Sequence, residues 1–415
     1  MGTKAHGITN IAVTDRFAPG SRLHCSHMER INDQLVSWAS MLEDETRKQA
    51  ITSAELDFIY PHIALMPDAH LGYGATVGSV IPTLGAVMPA AVGVDIGCGM
   101  IAVQTQFTFN DLPKDLKTLR EQIERAIPVS AGQYNRKILA TAKPRIDELE
   151  TMALQIDFDP DAFDKNWRVQ LGTLGGGNHF IEICLDEDDN VWTFLHSGSR
   201  GIGNKIATHH IAIAKRLRHE AGDTMPHEDL AWFEEGTPEF DDYIAHLHWA
   251  QHFALLNREE MMDRVNEQLG RWVGEPVRDI QRINSHHNFT EKEEHFGKDV
   301  WVTRKGAIRA RNGDMASIPG SMGAASYIVE GKGNADALDS APHGAGRQYS
   351  RRAARRAFTQ DDLRKAMVGI EYRDTHKFID EIPQAYKPID RVMADSTELV
   401  TIRHTLRQIV NVKGD

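Results

Sequence analysis

Residues 90–107 read AAVGVDIGCGMIAVQTQF. Two apolar runs rich in Val, Ile and Ala are interrupted by Gly93, Gly97 and Gly99, a texture of strands and turns rather than of a helix. The texture continues upstream through IYPHIALMP (59–67) and VGSVIPT (77–83), so residues 56–108 are predicted as short strands joined by Gly and Pro turns. The quoted stretch also sets Asp95 and Cys98 three residues apart on a backbone that glycine leaves free to bend. That spacing fits a packed turn, and it equally fits two ligands of one metal ion.

On either side the pattern alternates between helix and strand. Leu35, Val36, Trp38 and Leu42 predict a first helix near 32–50, and LPKDLKTLREQIERAI (112–127) predicts another. HFIEICL (179–185) and VWTFLHSG (191–198) read as paired strands around a DEDDN turn. Across 239–270, Tyr243, Ile244, Leu247, Ala250, Ala254 and Leu255 follow helical periodicity. His246, His248 and His252 on that helix lack an H-E-x-x-H arrangement and read as packed or solvated. Strands and helices without regular βαβ alternation predict an α+β fold, a single domain over 1–415 with central sheets flanked by helices. Residues 1–55 form a helical N-terminal part and 56–415 the core, with a helical segment at about 225–270.

The formal net charge of −12 argues against a protein that coats nucleic acid through bulk charge. Three cysteines, Cys25, Cys98 and Cys184, have no disulfide-framework spacing and fit a reducing compartment. The N-terminus lacks the pattern of a secretory signal, and no apolar run is long enough to span a membrane. A cytoplasmic protein without membrane partners is expected.

Polar segments, all but 284–289 carrying glycine, recur at 66–74, 93–100, 172–182, 196–204, 284–289, 319–326 and 340–347, as though loops converge on one site. Together they offer Asp95, Cys98, Asn178, His179, Glu182, His196, Arg200, His286, His287, Asn288, Ser340, His343 and Arg347. Imidazole, thiolate and carboxylate in combination suit Zn²⁺, Mn²⁺, Fe²⁺ or Co²⁺ better than Mg²⁺ or Ca²⁺. The turn IPGSMGAASYIVEGKGN (318–334) presents donors at Gly320, Ser321, Gly323 and Ser326 that could cradle phosphate oxygens, or simply join two strands. It has no P-loop lysine, and the glycines of GTLGGGNH make no dinucleotide fingerprint. His343, in PHGAGR with Arg347, Arg351 and Arg352 downstream, fits a metal ligand, a general base or a nucleophile toward phosphorus.

These blocks resemble the RtcB family of RNA-splicing ligases. The resemblance is carried by MPDAHLGYGATVGSVIPT, AAVGVDIGCGM, LGTLGGGNHFIEI, LHSGSRGIG, HHNF, RKGAIRA, PGSMGAASYIV, HGAGR with Ser350 and Arg351, DEIPQAYKPI and VKG, over about residues 57–414. It implies a GTP- and Mn²⁺-dependent ligase joining RNA 3′-phosphate or 2′,3′-cyclic phosphate ends to 5′-hydroxyl ends, in splicing or repair. It implies two Mn²⁺ ions on Asp95, Cys98, His179, His196 and His287, with Cys98 bridging, and His343 as the nucleophile that becomes guanylylated. It further implies a nucleotide site of Asn178, His179, Glu182, His287, Asn288, Pro319, Gly320, Ser321, Met322, Ser326, His343, Gly344, Ala345, Gly346 and Lys413. Alternatives with the same residues are a guanylyl-capping enzyme of nucleic-acid 3′-phosphates and a dinuclear phosphohydrolase of cyclic phosphate ends. Arg200, Arg347, Arg351 and Arg352 are candidates for a confined basic channel, or for ion pairs with the acidic surface.

Overall fold

In the computed structural model, which describes residues 28–414, most strands fall into two large sheets, with helices packed outside them in an α+β arrangement. One sheet orders Glu29–Asn32, Leu35–Ser37, Ile63–His70, Val77–Thr83, Lys298–Lys305 and Asn288–His295. The other orders Asp279–His286, Gly99–Thr108, Asn190–Ser197, Phe180–Leu185, Val400–Lys413, Ser326–Gly331 and Met315–Ile318, with Glu371–Tyr372 pairing on Val400–Lys413. The chain passes from one sheet to the other at His287, which separates the last strand residue of one from the first of the other.

Register explains why the ligand candidates meet. Antiparallel pairing sets Gly99 opposite both Ser197 and His286, Met100 and Phe180 opposite His196, and Phe180 opposite Lys413. Residues more than 300 apart in sequence therefore line up across adjacent strand ends.

The predicted long helix is Pro238–Val273. Its start follows from Thr237, whose hydroxyl accepts the Phe240 amide, and from Pro238 in the first turn; it ends at Gly274 with φ +96°. Tyr243, Leu247, Ala250, Ala254, Met261, Val265 and Leu269 are almost fully buried, so its periodic stripe is the face that packs. His246 meets His210 at 2.9 Å and His252 meets Glu148 at 2.6 Å, as packed or paired side chains.

The start of the described chain differs from expectation. Residues 32–50 are not one helix: Glu29–Asn32 and Leu35–Ser37 form a hairpin, and the helix is Asp44–Ala54. Asn32 accepts the Gln34 amide at 2.9 Å and turns the chain, and consecutive Leu35, Val36 and Ser37 are all buried, as suits a strand covered on both faces. Helical spacing of Leu35, Trp38 and Leu42 was coincidental with that burial. The segment AAVG also departs from a strand. Pro89–Val92 is a single helical turn with Pro89 at its start and Gly93 at φ +93° at its end, because proline presets helical φ and glycine reverses the chain. The 225–270 segment begins with a 3₁₀ turn and a two-residue strand, Phe233–Glu234, before the helix. Cys98 and Cys184 are free and buried, whereas Cys25 lies outside the described residues. No helix among the described residues is long and apolar enough to cross a membrane.

Candidate active site

The loop 93–98 descends from the turn Pro89–Val92 and feeds the strand Gly99–Thr108. Gly97 takes φ +67°, and a Cβ there would fall 2.8 Å from the Gln251 Cα, so only glycine lets the loop pass the long helix. Opposite it, a Cβ on Gly198 would sit 2.1 Å from Asp95 Oδ1, and the Ser199 amide donates to that same oxygen at 3.1 Å. The glycines thus bring backbone against a carboxylate that must be held still.

Around Cys98 the donor atoms converge. Its Sγ lies 3.5 Å from His179 Nε2 and 3.2 Å from His196 Nε2. His196 Nε2 is 3.2 Å from His287 Nε2, and His179 Nε2 is 3.1 Å from Asp95 Oδ2. Backbone contacts aim the rings: His179 Nδ1–H donates to the Leu174 carbonyl at 2.9 Å, and His196 Nδ1–H to the Asn178 carbonyl at 3.2 Å. Each ring then turns its Nε2 inward, toward the other donor atoms. Burial, with the charges of neighbouring histidines, pushes His196 and His287 well below the usual imidazole range, so both are neutral. Burial and the Asp95 carboxylate push the Cys98 thiol up, and a thiolate there is stable only beside a cation. Asp95 is itself held at about 2: burial opposes ionisation, but its hydrogen bond and charge contact with His179, together with Arg200, outweigh it. Cys98, His179 and His196 form a buried group whose ligand atoms all lie within 4.8 Å of one another and could hold a metal ion.

A cavity of about 580 Å³ opens above this group. Of the predicted residues, Asp95, Cys98, Asn178, Glu182, His196, His287, Asn288, Pro319, Gly320, Ser321, Met322, His343, Gly344, Ala345, Gly346 and Lys413 line it. His179 stays behind, in the metal-binding group. Ser326 does not line it; its hydroxyl is buried without a partner among the described residues, at the start of Ser326–Gly331. The Asn288 amide is taken up by backbone, donating to the Asp95 carbonyl at 3.2 Å and accepting the Gly306 amide at 2.8 Å, so it braces two loops. The turn at 319–325 does join two paired strands, Met315–Ile318 and Ser326–Gly331, and its first residues also face the cavity.

His343 follows the strand Ser340–Pro342, and its ring stacks on His287 with centroids 4.6 Å apart. Its Nδ1 lies 2.6 Å from Asp68 Oδ2, an oxygen that also accepts the amides of His343 at 3.2 Å and Gly344 at 3.3 Å. Asp68 is fully buried and has no other cation at this distance among the described residues. The contact is off the hydrogen-bond line, yet a buried carboxylate this close to Nδ1 favours a proton on that nitrogen and leaves Nε2 with the free lone pair. Asp68 and His70 were missed by the sequence reading, which flagged 66–74 as a polar segment without giving its residues a role. Nothing in MPDAH announces a partner 275 residues away. Lys305, Glu381, Tyr386 and Asn411 also line the cavity and were likewise missed.

The basic candidates divide. Arg200, at φ +60° on the first residue of Arg200–Ala221, is half-buried beside Asp95, and its guanidinium occupies the space a Gly175 side chain would need. Arg347 and Arg351 reach Glu381 at 3.3 Å and 2.5 Å. Arg352 is exposed.

A cavity of nucleotide size, floored by a buried cysteine and histidines that could hold a metal ion and with a histidine beside a buried carboxylate in its wall, is the candidate active site of this fold. The sequence model of the family described as tRNA-splicing ligase RtcB matches residues 49–414. The RNA-splicing ligase RtcB of Escherichia coli K12 is 49% identical over 387 residues, covering 90% of this chain and 95% of that protein. The tRNA-splicing ligases RtcB of Pyrobaculum aerophilum and Thermococcus kodakarensis are each 30% identical, covering 93% and 87% of this chain and 94% and 89% of their own lengths. The chain belongs to the RtcB family, and it is an RNA ligase.

Proposed function

We propose that the protein joins RNA 3′-phosphate or 2′,3′-cyclic phosphate ends to 5′-hydroxyl ends, using GTP and Mn²⁺ and passing through a guanylylated His343. The observation that carries this reading is the His343–Asp68 pair set against the metal-binding group. Asp95, Cys98, His179, His196 and His287 would hold two divalent ions, whose role is to screen phosphate charge. His343 Nε2 attacks the α-phosphorus of GTP: an N–P bond forms, the P–O bond to pyrophosphate breaks, and Asp68 stabilises the charge that develops on the ring. The guanylate then passes to the RNA 3′-phosphate, and the 5′-hydroxyl displaces GMP to form the phosphodiester. A cyclic phosphate is first opened to the 3′-phosphate. The role lies in RNA splicing or repair, in the cytoplasm.

The test is incubation with α-labelled GTP and Mn²⁺, followed by denaturing gels of defined RNA ends. An acid-labile adduct that chases into joined RNA is expected. An adduct that survives His343→Ala, or turnover of cyclic ends without GTP, overturns the reading. Asp68→Asn is expected to cut adduct formation by roughly 10²- to 10⁴-fold while leaving metal content intact, since an amide can favour the wrong tautomer. An unchanged rate of labelling would remove Asp68 from the mechanism.

Glu182 supplies a pH test. Burial pushes its carboxyl up to about 8 against the charge of Lys413 and hydrogen bonds from Cys184 and Asn411. Asn411 Nδ2 donates to Glu182 Oε1 at 2.8 Å. As the acceptor for guanine N1–H and N2–H, Glu182 must be ionised, and below pH 8 the protonated form dominates. GTP affinity is therefore expected to rise about tenfold from pH 7 to 9. Glu182→Gln should flatten that rise and weaken preference for GTP over ATP; a pH-independent affinity in the unaltered protein counts against this role.

A further inference from the structure

Cations at the cavity mouth outnumber the carboxylates that meet them, in a chain of net charge −12. Asp380 meets Arg351 at 3.0 Å and Arg355 at 3.1 Å. Glu381 meets Arg347 at 3.3 Å, Arg351 at 2.5 Å and Lys413 at 3.0 Å. These two carboxylates are nearly fully buried and are shared among four cations. Beyond them stand Arg352 and Arg356 on the helix Arg351–Ala357, both exposed and without a carboxylate partner among the described residues. Four residues apart, they share one face of the helix. The next helix, Gln360–Ala366, is different: Arg364 meets Asp361 and Asp374 at 2.9 Å and 2.7 Å, and Lys365 meets Asp362 at 3.7 Å. Positive charge is matched there, whereas on Arg351–Ala357 it is matched at Arg351 and Arg355 and unmatched, among the described residues, at Arg352 and Arg356.

Position selects the partner. Arg351, the first residue of that helix, lines the cavity, so a polymer with its end in the cavity emerges beside it. Tyr349, 39% exposed and set edge-on to Phe358 at 5.4 Å, adds a ring on which a base can stack. We propose that the Arg352–Arg356 face is the track on which single-stranded RNA adjoining the reacting end leaves the cavity, its backbone phosphates meeting both guanidinium groups. This rests on the ligase reading above. An acidic protein segment would satisfy the same charges, but it has no reason to begin at the cavity mouth.

Binding of long single-stranded RNA with a 3′-phosphate is measured by fluorescence anisotropy across a KCl series, in the full-length protein and in R352Q/R356Q. Affinity at low salt is expected to fall on the order of tenfold, and the slope of log K against log salt to become shallower by about 1.4, or ~0.7 for each lost phosphate contact. R352K/R356K, which keeps the charges, should retain most of the slope. A dinucleotide with the same end is too short to reach the track, so its affinity should fall far less. Unchanged long-RNA affinity and slope overturn the proposal, as does an equal loss for the dinucleotide, which would put the damage in the cavity. Polyglutamate bound as tightly as RNA, and through the same arginines, also overturns it. The labelled-GTP adduct of the unaltered protein is read in parallel: an adduct with an unchanged slope sinks the track alone, and a shallower slope without an adduct sinks the ligase reading alone.

Discussion

Cys98→Ala is expected to empty the metal-binding group and reduce GTP adduct formation by at least ~10³-fold, about 4 kcal/mol of lost barrier lowering, while leaving the protein folded. The reason is position. Its sulfur lies within 3.5 Å of both His179 Nε2 and His196 Nε2, so its removal separates the two halves of the ligand set. His196 and His287 are pushed toward neutrality by burial and by neighbouring histidines, and without the thiolate the site loses a negative charge that a divalent ion needs. The cost to folding is small, about 1 kcal/mol, because one buried sulfur is replaced by a hydrogen in a loop held by backbone bonds. Metal content by mass spectrometry, a circular-dichroism melt and labelled-GTP incubation check it together. Retained metal with full adduct would show that Cys98 is a packed turn residue.

His343→Ala is expected to abolish the adduct, again by at least ~10³-fold, but with metal content preserved. The two variants therefore separate ligand from nucleophile. His343 stacks on His287 but lies outside the buried Cys98, His179 and His196 group, and its Nδ1 faces Asp68. If His343 were a ligand instead, the alanine variant would lose metal as Cys98→Ala does. The same comparison bears on Asp68→Asn, whose smaller loss is expected through the orientation of the ring.

Much of this site was legible before any coordinates. Asp95, Cys98, His179, His196 and His343 each lie within two residues of a glycine, and with His287 their side-chain types suit a borderline metal, although the ligand set itself came from the family resemblance. The long helix was legible too, because a 3.6-residue stripe must be buried on one side. The hairpin at 29–37 was not, since Leu35 and Val36 satisfy both a helical stripe and a strand buried on two faces, and only neighbouring strands decide between them. Asn288 has a polar side chain in a promising motif, yet it braces backbone, a distinction that depends on which amides lie within reach.

By itself, then, the sequence determined the α+β class, the long helix and the side-chain types offered to a metal, because periodicity and side-chain chemistry are local properties, while the role of His343 as nucleophile came from the family resemblance. The tertiary structure alone decided that Asp68 lies against His343, that Arg200 is half-buried beside Asp95 while Arg352 is exposed, and that Met100, His196, Phe180 and Lys413 share one line across the strands. Those are matters of register and long-range packing, and no spacing along the chain encodes them.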